Sequence, residues 1–501
     1  MTTDSDKNLA EFNRVIREQL HGSAIEMSQI SSHRANILSS GGKSHNFPVT
    51  DTCRLDNGGI ASLPESDWCR LQTKIVAFVP AAGASSRYLS PLFEILEAAR
   101  AGDAVASKAA IKKLRETGIA DCPLPASLRE LVQYLDADER VPSGLFKTVA
   151  DEIDAPKALY PAVTSGESFL EIKRIEHEAI GGISGEVFVC PPGREGDFKH
   201  VASRIRSSQS CEFIPQGPSL ATIRFEPDGR PALDKYGKIS MVPSGHGSLL
   251  RLMPEIGQIF AGVDALFIRN IDNVSGNHHE AVHATRKFLK AFDTTFALIK
   301  DLRGAIKASD TSECERLSDS ILEFWKVRRD SGKSSLDNLL ERIFHTQAPT
   351  GMAERSRLLS RPLVLMGQVP NTANDVGGTC VFTNIDGQPE KLCLEVPHAS
   401  ADDRAHFLEN PRLATHFNPV FVVTEIPDMS SVDRWAGHPF WLIARKSWNG
   451  RDVLYQESIL YEMLGNSRYA NSIFVEVPRA VFNPHKTLKD AGQRGLDYWF
   501  K

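Results

Sequence analysis

The sequence predicts an α/β fold with a mainly parallel or mixed central sheet, helices on both faces and helical insertions. Three observations predict it. Short, wholly apolar runs such as Lys74-Ile75-Val76-Ala77-Phe78-Val79-Pro80 suit strands buried on both faces of a sheet. Residues 160–275 alternate strand-like and helix-like patterns, which implies right-handed βαβ crossovers. Two stretches, 91–150 and 279–345, repeat apolar residues at helical spacing and carry no strand signal.

The elements follow in order. Residues 8–32 show a helical stripe (Leu9, Phe12, Val15, Ile16, Leu20), and a Ser/Gly/Asn-rich stretch to about Pro48 reads as a linker. After the 74–80 strand, Leu92, Ile95, Leu96 and Ala99 share one helical face; Leu128, Leu131, Val132 and Leu135 share another. Then come a helix over 168–180, a strand over 185–190, a helix over 198–206 and a strand over 221–225. A helix over 249–260 and a strand over 265–270 complete the alternation. Residues 279–345 form an inserted helical subdomain, and strands follow over 362–369, 378–383, 392–396, 420–424, 440–444 and 473–477. The expected division is an N-terminal helical segment with linker (1–70), a core (71–430) and a C-terminal segment (431–501).

A chain of 501 residues with 58 Lys+Arg against 63 Asp+Glu has a formal charge of −5, which argues against a polycationic nucleic-acid or membrane binder. The eight cysteines, Cys53, Cys69, Cys122, Cys190, Cys211, Cys314, Cys380 and Cys393, are scattered without zinc spacing. They read as reduced thiols. With a polar N-terminus and no bilayer-length apolar run, the expected location is the cytoplasm, with no membrane and no nucleic-acid partner.

Six segments carry chemistry. The 74–80 strand runs into Ala81-Ala82-Gly83-Ala84-Ser85-Ser86-Arg87, small residues that let main-chain N–H groups approach phosphate, closed by an arginine. The plain alternative is a tight βα turn. Ala155-Pro156-Lys157-Ala158-Leu159-Tyr160-Pro161 holds a lysine between two prolines, either an aimed phosphate ligand or an exposed loop lysine. Ser168-Phe169-Leu170-Glu171 has the form of a capping box. Pro243-Ser244-Gly245-His246-Gly247 offers flexible backbone at a helix start.

The 265–270 strand ends on Asn270-Ile271-Asp272-Asn273, which puts a carboxylate at the edge where α/β sheets bind ligands, or else forms an Asx turn. His416-Phe417-Asn418-Pro419 and Val475-Glu476-Val477-Pro478-Arg479, the latter leading to Phe482-Asn483-Pro484-His485-Lys486-Thr487, border strands with polar groups beside proline. No Ser/His/Asp or Cys/His constellation stands out.

In this order the segments resemble the UDP-sugar pyrophosphorylase family, which has a GT-A-like nucleotidyltransferase fold. The chain also resembles a bacterial family of unknown function, through His416-Phe417-Asn418-Pro419 and Phe474-Val475-Glu476-Val477-Pro478 among others. The first resemblance implies that the 71–430 core is catalytic and that the C-terminal segment returns Lys486 to the active site. It implies a nucleoside triphosphate, UTP or CTP favoured, lying over Ala82, Gly83, Ser85 and Ser86, with its base near Gly245, His246 and Gly247.

It further implies Mg²⁺ on Asp272 and charge neutralisation by Arg87, Lys157 and Lys486. Asn273, Glu395 and Asn418 would face the acceptor, a sugar 1-phosphate or another phosphorylated small molecule. Two departures stand out: the family's first loop is richer in glycine, and its lysine follows that loop without a long helical insertion. A GT-A-type glycosyltransferase and a non-catalytic nucleotide-binding protein are the alternatives.

Overall fold

The computed structural model describes residues 12, 14–20, 27–83, 88–116, 126–137, 139–153, 155–163, 166–274, 278–372, 377–385, 387–426, 441–458, 460, 464–487 and 490. Eight strands form one mixed, mainly parallel sheet: β1 (Ile75–Pro80), β2 (Ile183–Cys190), β3 (Ser210–Pro215), β4 (Ala265–Arg269), β5 (Leu363–Pro370), β6 (His416–Phe417), β7 (Phe421–Glu425) and β8 (Asn471–Glu476). Their order is β6-β5-β7-β4-β1-β2-β3, with β8 also bonded to β5. The chain divides into two compact units, each built from three separate stretches.

One unit comprises Ile75–Pro215, Ile268–Lys287 and Pro478–Lys501. In it β1, β2 and β3 run parallel, with Phe78 opposite Val187 and Val187 opposite Glu212. Five consecutive buried residues in β1 are what a strand covered on both faces requires. The insertion between β1 and β2 folds as helices Ser90–Arg100, Ala104–Glu116, Ala126–Asp136 and Ser143–Ile153. Their apolar stripes (Leu92, Ile95, Leu128, Leu131, Val149) join Phe169, Phe188, Phe198, Ile271 and Val274 in one core. Helix Phe169–Ile180 begins at a full capping box: Ser168 Oγ accepts from Glu171 N at 3.2 Å, and Glu171 Oε2 accepts from Ser168 N at 2.8 Å.

The other unit comprises Met1–Lys74, Gln216–Phe267 and Phe288–Val477. Here β8 lies parallel to β5, whereas β6 and β7 lie antiparallel to it. A three-stranded antiparallel sheet (Val49–Thr52, Thr379–Ile385, Gln388–Leu394) packs Val49, Val381, Leu392 and Leu394 into a satellite core. A hairpin, Leu442–Trp448 with Arg451–Glu457, places Ile443 and Leu454 in a further cluster beside Ile30, Ile37, Ile223 and Phe225. Among the described residues no helix is long and apolar enough to cross a membrane.

Several elements differ from expectation. Of the stretch taken as a linker, residues 33–39 belong to helix Met27–Ser39, which begins within the expected helix; its Ile30, His33 and Ile37 are buried and its polar majority is the solvent face. Strand β3 was not expected, because Ser-Cys-Glu-Phe-Ile-Pro has no apolar run; it is an edge strand, half exposed. The strand at Ala221–Ile223 belongs to a two-stranded side sheet with Met241–Pro243. The helix expected over 249–260 begins as a 3-10 helix, His246–Leu252, and becomes α-helical at Met253–Ile259, where Pro254 fits the first turn.

Candidate functional site

Four of the expected ligands, or the main chain beside them, meet in the unit that holds β1–β3. Pro156 (φ −60°) sets the entry to a single 3-10 turn, Lys157–Leu159, in which Ala158 is buried. The turn is tied back to the small-residue loop, where Lys157 N donates to the carbonyl of exposed Gly83 at 3.2 Å. The Lys157 ammonium sits 5.1 Å from the centre of the Tyr88 ring and 4.9 Å from that of Phe169, which opens the capped helix. Its Nζ donates to the His485 carbonyl at 2.6 Å and lies 3.4 Å from Asp272 Oδ2. The Lys157 side chain is 12% exposed and that of Asp272 28%, so the pair forms a corner that solvent still reaches.

Two facing segments fix Asp272. His485 N donates to the Asp272 carbonyl at 2.9 Å and Val274 N to that of Asn483 at 3.0 Å, an antiparallel bridge centred on Asn273 and Pro484. Asn273 locks it: Nδ2 donates to Val481 O at 2.9 Å and Oδ1 accepts from Asn483 N at 2.8 Å. At 1% exposure, with both side-chain polar atoms bonded to main chain, Asn273 clamps the two segments together. His485 is buried and donates from Nδ1 to the Ala162 carbonyl at 2.8 Å, since a carbonyl only accepts. Lys486 is exposed on the next residue, where Asp490 Oδ2 accepts from Lys486 N at 2.9 Å and Thr487 N at 2.8 Å. Ala82 is half-buried at the loop's start; Ser85, Ser86 and Arg87 lie outside the described residues.

The remaining expected ligands belong to the other unit. Gly245 has φ +81°, and a Cβ built on it would meet Ser458 O at 2.5 Å. Gly247 N donates to that same Ser458 carbonyl at 2.8 Å, so Gly245 answers to a close main-chain approach, while the His246 side chain is exposed. Asn418 is fully buried: Nδ2 donates to Gly367 O at 2.8 Å and Oδ1 accepts from Val420 N at 2.8 Å. It supports the left-handed Val420 (φ +59°). Glu395 is half-buried where Gln388–Leu394 ends.

Sequence reasoning missed a buried ionic group behind the Asp272 turn. Lys173 Nζ donates to Glu176 Oε2 at 2.8 Å and also to the Asn273 carbonyl, and Arg269 Nη1 reaches the same Glu176 oxygen at 3.2 Å. Burial, reinforced by the Arg269 charge, pushes Lys173 down to about 8, against the pull of Glu176 and Asp272. A lysine at 173 and an arginine closing an apolar strand at 269 were the available signals, but helix periodicity alone puts neither inside.

The group at Asp272 suits a hard divalent cation of a particular kind. Among the described residues no three His, Cys, Asp or Glu side chains are placed to cage a metal. A single solvent-reached carboxylate fits Mg²⁺ that takes most of its shell from water and phosphate oxygens. A cavity of about 510 Å³ opens nearby, between Thr148 and Arg194. Asp151 and Glu152 line it together with Arg194, so its charge is mixed with an acidic excess.

No curated protein matches the sequence. Among solved structures, the fold is similar to a point variant of UDP-glucose pyrophosphorylase from Leishmania major in complex with UDP-glucose. The TM-score is 0.52 at 12% identity, over 98% of this chain and 79% of that one. A UDP-glucose phosphorylase from Trypanosoma brucei matches with TM-score 0.49 at 13% identity, over 97% of this chain and 77% of that one. At such identity the likeness to the Leishmania protein shows the fold, here a pyrophosphorylase-like one. The family model described as a domain of unknown function (DUF4301) matches residues 196–493, and the chain belongs to that family.

Proposed function

We propose that this chain is a nucleotidyltransferase. It would move a nucleoside monophosphate from a nucleoside triphosphate, UTP or CTP by preference, to a phosphorylated small molecule such as a sugar 1-phosphate, releasing pyrophosphate. One observation carries the reading: the Lys157 ammonium and the Asp272 carboxylate meet 3.4 Å apart, beside Gly83 at the exit of β1 and beside the main chain leading to Lys486. A cation and a hard anion at a strand exit, on a pyrophosphorylase-like fold, suit phosphate chemistry at the edge where α/β sheets bind ligands.

An acceptor phosphate oxygen attacks the α-phosphorus in line. A P–O bond forms there, the bond from that phosphorus to the β-phosphate oxygen breaks, and pyrophosphate carries away the electron pair. A phosphate monoester is already anionic near pH 7, so no general base is required. The protein's part is positioning and charge. Lys157 neutralises phosphate oxygens from a stem braced on two rings. Lys486 meets the acceptor phosphate, with its backbone held by the Asn273 bridge. Asp272 would hold Mg²⁺, which when bound supplies further charge neutralisation at the phosphates.

The test is pyrophosphate release by the full-length protein with Mg²⁺, using ATP, CTP, GTP and UTP against sugar 1-phosphates, polyol phosphates and phosphonates. Release with UTP or CTP and one acceptor class is expected. Silence across the panel overturns the reading. Sugar transfer from a ready-made nucleotide-sugar would mark a glycosyltransferase, and nucleotide binding without turnover a non-catalytic protein.

A further inference from the structure

Three ionic side chains are wholly inside the unit that holds Asp272, and no step above uses them. Lys173, on helix Phe169–Ile180, is 0% exposed; Arg269, which ends β4, is 1% exposed; Glu176 lies between them. Burying such a group contributes little to stability, because desolvation offsets the attraction, and an apolar trio of equal volume would serve as well or better. What an apolar trio could not do is end on chosen carbonyls. Lys173 Nζ donates to the carbonyl of Asn273, the residue next to Asp272. Asn273 in turn grips Val481 O and Asn483 N, the start of the segment whose His485 carbonyl receives Lys157. One buried ammonium thus restrains the peptide that follows Asp272 and, through Asn273, the chain leading to Lys486.

We propose that Lys173 is a positioning residue for nucleotidyl transfer, with Glu176 and Arg269 as its anchor: it holds the Asp272 turn and the paired 483–485 segment in the geometry that Lys157 meets. The inference deepens the transfer reading and rests on it for its kinetic signature. Displacement of a reacting group by about 1 Å costs on the order of 10² in rate. Lys173→Met, which keeps length and removes the ammonium, is therefore expected to lower kcat by about 30–100-fold while KM for the nucleotide moves by less than about threefold.

A general loss of structure would multiply with other lesions, whereas action through Asp272 would not. The decisive experiment is the cycle of Lys173→Met, Asp272→Asn and the double variant, with Leu317→Ala as a folded control destabilised outside the unit that holds the site. Leu317 is a buried residue of helix Thr311–Phe324, in the other unit. The double variant should be no slower than Asp272→Asn alone, and the control should keep wild-type kcat. If Lys173→Met does not fold, Lys173→Gln removes the ammonium with a polar side chain in its place and leaves Glu176 paired with Arg269, and the same loss is expected.

The affinity of the full-length protein for Mn²⁺ with UTP, read from water proton relaxation without acceptor, gives a second readout independent of turnover. It should weaken by about two- to threefold in Lys173→Met and show the same non-additivity. Wild-type kcat in the Lys173 variant, or a double variant in which the two losses multiply, overturns the proposal. If the wild type releases no pyrophosphate with any substrate pair, the transfer reading fails. The Mn²⁺–UTP cycle then decides the positioning role alone, and unchanged affinity in Lys173→Met overturns it.

Discussion

The turn that carries Lys157 and the turn that carries His246 both open short 3-10 helices, yet they divide work between main chain and side chain in opposite ways. Around Lys157 the main chain is closed by local bonds, Lys157 N to Gly83 O and Tyr160 N to Lys157 O, and the ammonium is delivered to a solvent-reached corner with Asp272. Around His246 the side chain is exposed, and the backbone is held tight by Ser458, whose carbonyl takes Gly247 N and lies where a Cβ on Gly245 would go. Gly245 thus needs no ligand to explain it: the Ser458 carbonyl, 2.5 Å from where its Cβ would stand, excludes a side chain. A lysine braced on two rings has no such packing reason to point its charge at a carboxylate.

The comparison breaks first on activity. Asp272→Asn and Lys157→Met should each lower turnover by about 10²–10³, the loss typical of a preorganised charge at a reacting centre. Melting temperatures should stay near that of the wild type for Asp272→Asn, whose side chain is partly exposed. If either variant releases pyrophosphate at the wild-type rate, the corner is an ordinary surface ion pair.

Lys486→Ala is expected to lose about 10² in turnover if the ammonium meets the acceptor phosphate. As an exposed residue it should change stability by no more than about 0.5 kcal/mol. Full activity in that variant would leave the C-terminal segment as a carrier of the His485 carbonyl alone.

Gly245→Ala sharpens the other half of the comparison. A left-handed φ of +81° and a Cβ 2.5 Å from a main-chain oxygen should destabilise the fold by roughly 2 kcal/mol or more, seen as a lower midpoint in urea unfolding. Stability equal to the wild type would show that the turn is free to move, and would restore it as a candidate base-binding loop.

Much of this was legible in the residues, and what was not has physical causes. The buried strands announced themselves because an apolar run such as Ile75 to Val79 suits little else, and Ser168 with Glu171 formed the capping box that their spacing implied. Strand β3 did not, since an edge strand alternates exposure and can be polar. In the candidate site, Lys157 stood out between its prolines and Asp272 after its strand, and the fold brings the two side chains to 3.4 Å. For Asn273 and Asn418 the sequence left the clamping role unseen, because a single sequence does not tell an amide facing a ligand from one clamping a loop. That distinction lies in partners such as Val481 and Val420, distant or local, which only the fold reveals. Lys173 escaped for the same reason: a lysine in a helix reads as solvent-facing until a carbonyl from residue 273 is found beside it.

Lys391 offers the smallest and most discriminating test of how this protein uses its lysines. Unlike Lys157 it has no solvent-reached corner: it is 1% exposed on strand Gln388–Leu394, with Nζ donating to Ser472 O at 3.0 Å and Ile343 O at 3.3 Å over the Phe474 ring. Burial pushes its pKa down to about 8 from the ordinary 10.5, against the opposing influence of the nearby Cys53 and Cys380 thiols. Between those two values the unfolded chain still holds a proton that the folded chain has released. Stability contributed at this site therefore rises with pH across the window, by up to about 1.4 kcal/mol per pH unit, and is flat below about 8.

The expected result is read as a difference, so that other titrating groups cancel. In urea unfolding at pH 7, 9 and 10, wild type should gain on Lys391→Met by about 1 kcal/mol per pH unit above pH 8 and not below it. A flat difference for Lys391 would mean that its charge is accommodated inside without penalty, and the contrast between an inward lysine that holds the fold and an outward one aimed at phosphate would lose its energetic basis.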